Sequence, residues 1–427
     1  MELQEKFLHH IWDGGHLKDR LCSVSGKALR IIYTGYYNTG RGPDFLGAII
    51  NLDGVESCGN IEIHFHQMDW IRHKHHEDHY YNDVILHVVF YPDANTPITI
   101  KENGDAIEVL DLRAHLNDEI GKLIATKDYR LPPTKEDYCD LLSLCDRDRI
   151  MGILQEFGKS RFENRVKRLC AMLFYHDFAQ ILHQGMMEAF GYDKNKYNML
   201  LLAQELSAAK IMQWIELGCT PLELYAIFLG SSGLFDKAKH LLDQQLYLEL
   251  QRAYESQAYY AKKIAIDWQL FRIRPSAHPV LRLGAYAQYL CHVSSSGAMQ
   301  HLLSLATPQG DLLGNLYRLF ASIKSPSTYQ IGKSQILILY VNVLLPILYL
   351  YADKNGMQEL KQRAWEMYST CPPLPENYKT RLMQTNNPKS AKIKASAMIQ
   401  QGMLEIFNRY CQYRMCEQCI ADYRSRI

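Results

Sequence analysis

The spacing of apolar residues changes partway along this chain, and the change divides it. Near the start, Leu3, Phe7, Leu8, Ile11 and Trp12 share one face of a helix over residues 2 to 13, with Glu2, Glu5, Lys6, His9 and His10 largely opposite. Gly14-Gly15 ends that helix. Period-two runs follow. Ala28 to Tyr33 reads as a strand, and so do Phe45 to Leu52 and Val55 to His66, joined by the two-residue turn Asp53-Gly54. Gly59 marks a bulge or kink in the return strand. Val84 to Phe90 is almost continuously apolar, as in a strand covered on both faces. Short strands are expected around Ile98 to Ile100 and Ile107 to Leu110.

Beyond Leu131-Pro132-Pro133 the period becomes 3.6 and stays so. Helices are expected over Leu200 to Trp214, Glu223 to Phe228, Lys237 to Tyr260, Leu281 to Leu290, Ile336 to Leu350 and Lys389 to Cys411, the last with Asn387-Pro388 as its N-terminal cap. The fold class is therefore α+β: a small mixed-sheet domain over residues 1–130, then a large all-α domain over residues 131–427 that ends in a cysteine cluster.

Composition narrows the picture. With 427 residues the chain is long enough for two or three cores, and its net charge of +1 gives no global attraction to nucleic acid or to a membrane. Any contact with nucleic acid has to come from local patches, such as Lys379, Arg381, Lys389, Lys392 and Lys394. The apolar run Ile336 to Tyr351 is shorter than the roughly 20 residues of a spanning helix and contains Asn342 and Pro346, so a buried helix and no membrane contact are expected. The eleven cysteines, an odd number, and an N-terminus without signal-peptide character point to reduced thiols in the cytoplasm.

Candidate chemistry concentrates between Gly40 and Tyr91, where seven of the seventeen histidines fall between His64 and His87. Glu62, His64 and His66 alternate, so they share one strand face opposite Ile61, Ile63 and Phe65. A two-residue turn at Asp53-Gly54 puts Asp44 across from Ile63, on the face away from Glu62. A bulge at Gly59-Asn60 would instead place Asp44 opposite His64. Asp44, Glu62 and His66 are candidate metal ligands. Oxygen donors suit Mg or Mn, and a site richer in histidine suits Zn or Mn. Asp69-Trp70 and His73 to His79 read as a turn and short helix, with His75, His76 and His79 on the surface. His87, among Ile85 and Val89, reads as a buried, hydrogen-bonded histidine.

The order helix, strand, Gly42-Pro43-Asp44, hairpin, Glu62-Ile63-His64 and buried strand resembles the PD-(D/E)xK nuclease superfamily over about residues 1 to 100. The resemblance implies a restriction-endonuclease-like domain in which Asp44 and Glu62 hold Mg. It also implies a helix glutamate, Glu5 or Glu2, that assists. His64 stands where that superfamily usually has lysine, the residue that positions the attacking water. The implied function is a metal-dependent nuclease acting on DNA or RNA; the alternative is a non-catalytic nucleic-acid- or protein-binding protein with a degenerate nuclease-like fold. The whole chain also resembles the bacterial domain-of-unknown-function 2851 family, through Gly42-Pro-Asp-Phe, Glu62-Ile-His64, Asp69-Trp70, His73-x-His75, Tyr81 to Val89, Arg274-Pro275, Arg282-Leu283 and the late cysteines.

Two further groups are candidates. Arg41, Arg272, Arg274 and Arg282 could bind substrate phosphates. Cys411, Cys416 and Cys419 have the spacing of three iron–sulfur ligands and could hold such a cluster or Zn, with Cys371 or Cys22 as a fourth. Reduced structural thiols are the competing reading.

Overall fold

A computed structural model describes residues 5–14, 16–18, 20–38, 41–93, 95–116, 139, 145–192, 194–257, 263–294, 297–306, 310–323, 330–385, 396–411, 415–416 and 419–420. The expected change of period at residue 131 and the Asn387-Pro388 cap lie outside them.

The first helix, α1 (Glu5–Asp13), buries Phe7, Leu8, Ile11 and Trp12, the face its periodicity marked. The strands are β1 (Leu21–Cys22), β2 (Ala28–Tyr33), β3 (Tyr36–Tyr37), β4 (Phe45–Leu52), β5 (Val55–His66), β6 (Val84–Tyr91), β7 (Ile98–Ile100) and β8 (Ala106–Asp111). They form one eight-stranded sheet in the order β1-β2-β4-β5-β6-β8-β7, with β3 also on β4. The left half is antiparallel, whereas β5, β6 and β8 run parallel. The central strand β5 thus belongs to both halves. Its crossover to β6 carries the short helix α2 (Asp69–Arg72) and 3-10 turns at His75–Glu77 and His79–Tyr81. Trp70, Tyr81, Val84 and Ile107 form a small core of their own.

The β4–β5 hairpin contains a bulge, and it is not at Gly59. Ala48 pairs with Gly59 but Phe45 pairs with Ile61, so the extra residue lies in β4. Gly47 takes it up in a left-handed conformation, φ 60°, and donates its N–H to Asn60 Oδ1 at 3.1 Å. Gly59 instead lets β6 come close: a Cβ there would sit 2.4 Å from Ile85 Cγ2.

Two compact units emerge from the packing: residues 1–161, 376–394 and 399–427 in one, and 162–375 with 395–398 in the other. The C-terminal helix Ala397–Arg409 therefore packs, from Ile399 onward, with the sheet unit. There Met403, Ile406 and Phe407 join Ile153, Leu154 and Phe157 of the long helix Arg147–Met172 in one core.

The second unit is helical. Two of the expected helices are broken. Ser207 caps a new start at Ala208, which splits Leu200 to Trp214, and Phe235–Ala238 is separate from Gln244–Gln257. The apolar helix Lys333–Lys354 is long enough to span a bilayer, but 78% of its most apolar window is buried, as in a core helix.

Candidate functional site

The bulge at Gly47 sets the site. By restoring two-residue spacing from Phe45↔Ile61, it brings Asp44 across from Glu62 rather than from Ile63 or His64. The loop before it is tied by Asn38, whose side-chain amide donates to the carbonyls of Arg41 (3.1 Å) and Pro43 (3.0 Å). Asp44 N donates to Glu62 Oε2 at 3.1 Å, and Asp44 Oδ2 accepts from Ile63 N at 2.9 Å. The two carboxylates are therefore locked to one another's strands.

Each carboxylate then meets imidazoles. Asp44 Oδ2 lies 3.3 Å from His9 Nε2, a buried nitrogen on α1 without a hydrogen-bond partner. Glu62 Oε1 lies 3.3 Å from His64 Nε2 and 3.2 Å from His75 Nε2. His73 Nδ1 is 3.1 Å from His64 Nε2. Behind His64, its Nδ1 is 2.9 Å from His87 Nε2, and His87 Nδ1 is 2.9 Å from Thr99 Oγ1. His87 is fully buried and bonded at both nitrogens, as its apolar neighbours predicted.

His73 and His75 reach the cluster because Lys74 between them is left-handed, φ 62°. A non-glycine residue in that region stores backbone strain, which is a feature of functional sites. Asp69 and Trp70 fix the crossover. Asp69 Oδ2 accepts from His66 N at 2.9 Å, and Trp70 Nε1 donates to Ile100 O at 3.0 Å. The His75 ring stacks on Tyr81 with centroids 3.7 Å apart. The surface placement expected for His75 is thus overturned: it is buried, because the left-handed turn and the Trp70–Tyr81 pocket draw it inward. The signal for it was the His73-x-His75 spacing after Asp69-Trp70.

Burial dominates the electrostatics. It pushes Glu62 well above the usual carboxylate range, an effect that Asp44 and Glu5 reinforce and the Asp44 N–H opposes. Burial also raises Glu5, aided by the charge of Asp44. His64 is held well below the ordinary histidine value by burial and by its neighbours His87, His75 and His73. His75 falls to about 4 and His87 to about 3, again chiefly through burial. The site thus sets His64, His75 and His87, which burial keeps from taking up a proton, against a Glu62 carboxyl whose charge burial and Asp44 disfavour. Such a donor set fits a divalent cation, which requires unprotonated nitrogens and relieves the repulsion.

Most of the other expected site residues have partners of their own. His66 is exposed and stacks on Tyr91 with centroids 5.0 Å apart. Arg41 pairs with Asp78 Oδ2 at 3.0 Å and covers the Tyr80 ring, so it serves a local carboxylate. Arg272 and Arg274 are exposed in the second unit, where Arg272 lies over Phe271. Arg282 is buried at 2% exposure, and its guanidinium donates to Gln330 O, which does not suit a phosphate clamp. Among the basic residues of the late helices, Lys379 donates to Asn408, and Lys389, Lys392 and Lys394 lie outside the described residues.

Cys411, Cys416 and Cys419 stay in the first unit, with Cys419 buried and Cys411 Sγ 3.8 Å from Met383 Sδ. Burial raises the Cys411 thiol, and the neighbouring Cys139 and Cys416 add to the effect. Of the expected completing residues, Cys371 belongs to the core of the second unit, and Cys22 is exposed beside His115. Among the described residues the trio with metal-ligand spacing is His64, His73 and His75, not the cysteines.

The first unit is thus a mixed-sheet protein with a histidine–carboxylate cluster on its central strand. A model of the family described as "Protein of unknown function (DUF2851)" matches residues 5–377, and the chain belongs to that family. No curated protein and no solved structure matches it.

Proposed function

We propose that the protein is a divalent-metal-dependent phosphodiesterase acting on DNA or RNA, with Asp44 and Glu62 as the carboxylates that hold the cation. The observation that carries this reading is the pairing of Asp44 with Glu62: the bulged hairpin sets them on one face, joined at 3.1 Å through the Asp44 N–H. The order of helix, antiparallel hairpin and parallel strand supports the nuclease-like resemblance, and Glu5 sits on the first helix where that resemblance calls for a glutamate.

Asp44 and Glu62 would hold such a cation, which would supply Lewis acidity toward the scissile phosphate and the attacking water. The chain's own groups do the rest. Ile63 N and Asp44 N orient the two carboxylates. His64 occupies the lysine position but is buried and clasped by His87, so it lines the site beside Glu62 and does not position the attacking water. Glu5, half-buried with its carboxyl raised by burial and by Asp44, has basicity better matched to accepting a proton from the attacking water.

The test is cleavage of a panel of single- and double-stranded DNA and RNA with Mg²⁺ or Mn²⁺. Asp44→Ala and Glu62→Ala should each abolish metal-dependent cleavage, and Glu5→Gln should lower it. Full activity in both alanine variants overturns the reading. Nucleic-acid binding that persists in EDTA, with no cleavage by the wild type, favours the non-catalytic alternative.

A further inference from the structure

Hard-cation chemistry uses Asp44 and Glu62 but leaves the imidazoles unexplained. Three histidines from two elements, β5 and the crossover to β6, bring one nitrogen each within 4.8 Å of one another, beside a buried carboxylate oxygen. We propose that His64, His73 and His75, with Glu62 Oε1, form a binding site for one borderline transition-metal cation of the Zn²⁺ class, distinct from the Asp44-side site and joined to it through Glu62.

Three observations support the assignment. First, the spacing fits. Metal–nitrogen bonds of about 2.05 Å in a tetrahedron put ligand atoms about 3.3 Å apart. The neighbouring donor pairs here are 3.1 Å (His73 Nδ1 to His64 Nε2), 3.3 Å (His64 Nε2 to Glu62 Oε1) and 3.2 Å (His75 Nε2 to Glu62 Oε1). Second, the donors suit the ion. Imidazole nitrogen with one carboxylate selects Zn²⁺, Co²⁺ or Mn²⁺ over Mg²⁺. Third, the supporting layer has the form metal histidines use. When His87 Nδ1–H donates to Thr99 Oγ1, His87 Nε2 accepts from His64 Nδ1–H, and the lone pair of His64 Nε2 is left facing the cluster. That lone pair then faces Glu62 Oε1, and two acceptors so close need a metal ion or a proton between them. The opposite sense of the chain, with His64 Nε2–H donating to Glu62, is the metal-free competitor that the experiment separates.

Glu62 links the halves of the site. Its Oε1 faces the imidazoles, and its Oε2 faces the Asp44 backbone. His9 Nε2, buried 3.3 Å from Asp44 Oδ2, adds a nitrogen on the other side. His73 is the exposed member, so the ion enters past His73.

The experiment is Co²⁺ and Zn²⁺ binding to the full-length protein after EDTA dialysis, read by visible absorption, titration calorimetry and elemental analysis. One Co²⁺ per chain is expected, with ligand-field bands and no near-ultraviolet sulfur charge-transfer band. His73→Ala and His75→Ala should each weaken binding by about 100-fold or more, in line with the importance of even supporting residues to metal affinity. Because His73 is exposed, His73→Ala keeps the fold, and circular dichroism verifies this. Absence of binding, binding unchanged in His73→Ala, or a cobalt spectrum with thiolate character each overturns the proposal. Asp44→Asn separates this inference from the hydrolase reading: it removes the hard-cation ligand and should leave Co²⁺ affinity within a few-fold of wild type. Loss of cleavage with Co²⁺ retained leaves this site standing. Cleavage without Co²⁺ binding removes it and leaves the hydrolase.

Discussion

Glu62 Oε2 accepts the backbone N–H of Asp44 at 3.1 Å, while Glu62 Oε1 faces His64 and His75. One buried carboxylate thus has a single neutral donor on one side and is faced by imidazoles on the other. Its charge is poorly solvated, and Asp44 opposes it further.

Replacing Glu62 therefore separates stability from binding. Glu62→Gln keeps an oxygen for the Asp44 N–H and removes the disfavoured charge. The metal-free variant should be as stable as wild type or more so, by on the order of 1 kcal/mol at pH 7. Melting in EDTA checks this, and the same variant should lose the rise in melting temperature that divalent cations give the wild type. A large drop in EDTA would show that the carboxylate charge stabilises the fold.

The bulge has its own test. Gly47 is left-handed, and a Cβ there meets no atom within 4 Å, so Gly47→Ala adds strain without a clash. The expected loss is roughly 1–2 kcal/mol in urea unfolding. If the hairpin escapes the strain by losing the bulge, Asp44 moves off the face of Glu62 and cleavage falls further than stability does.

Thr99 lies two residues removed from the cluster, through His87 and His64. Thr99→Val removes the acceptor that sets the sense of this chain. Co²⁺ affinity should fall about 10- to 100-fold. Unchanged affinity would mean the His64 tautomer is set otherwise.

In the second unit, His183 is buried, its Nε2 donating to Leu206 O at 2.9 Å and its Nδ1 accepting from Tyr286 Oη at 2.8 Å. Burial lowers its pKa from 6.5 to about 4. Between these values the unfolded chain binds the proton more readily than the folded one, so stability falls as pH drops through 6.5 and levels off below about 4. Above 6.5 this histidine's contribution does not vary with pH. Urea midpoints from pH 8 down to pH 5 should show the slope, to which His64, His75 and His87 also contribute, and His183→Gln should make it shallower while lowering the midpoint at pH 8.

Gly402 carries the packing of the C-terminal helix. A Cβ at Gly402 would run into the Leu154 carbonyl and lie 3.1 Å from Gly158 N. Since backbone cannot yield as a side chain can, Gly402→Ala should destabilise the protein by about 1–3 kcal/mol, seen as a lower urea midpoint. An unaffected midpoint would place that helix elsewhere.

Much of this was legible along the chain. The period-two runs, Asp53-Gly54 and the apolar Val84 to Phe90 yield β4, β5 and β6 with nearly the expected bounds, because strand pattern and turn chemistry are local. The same alternation puts Glu62 and His64 on one buried face, and the apolar setting of His87 foretells its burial. The family was legible too, from its scattered motifs.

What the linear order left open was convergence. Which strand of the hairpin takes the extra residue depends on where a left-handed glycine is tolerated and on what β6 presses against. Gly59 is close to Ile85, and Gly47 has open space, so the bulge falls in β4 and Asp44 meets Glu62. His75 looked like one of several surface histidines, and only the left-handed Lys74 and the Trp70–Tyr81 pocket carry it inward. The return of the C-terminal helix to the sheet unit is likewise a matter of which apolar faces meet. Local periodicity determines elements and their faces. Register shifts, backbone strain and long-range packing are paid for by contacts distant in sequence, so tertiary structure alone brought the carboxylates and imidazoles into one cluster.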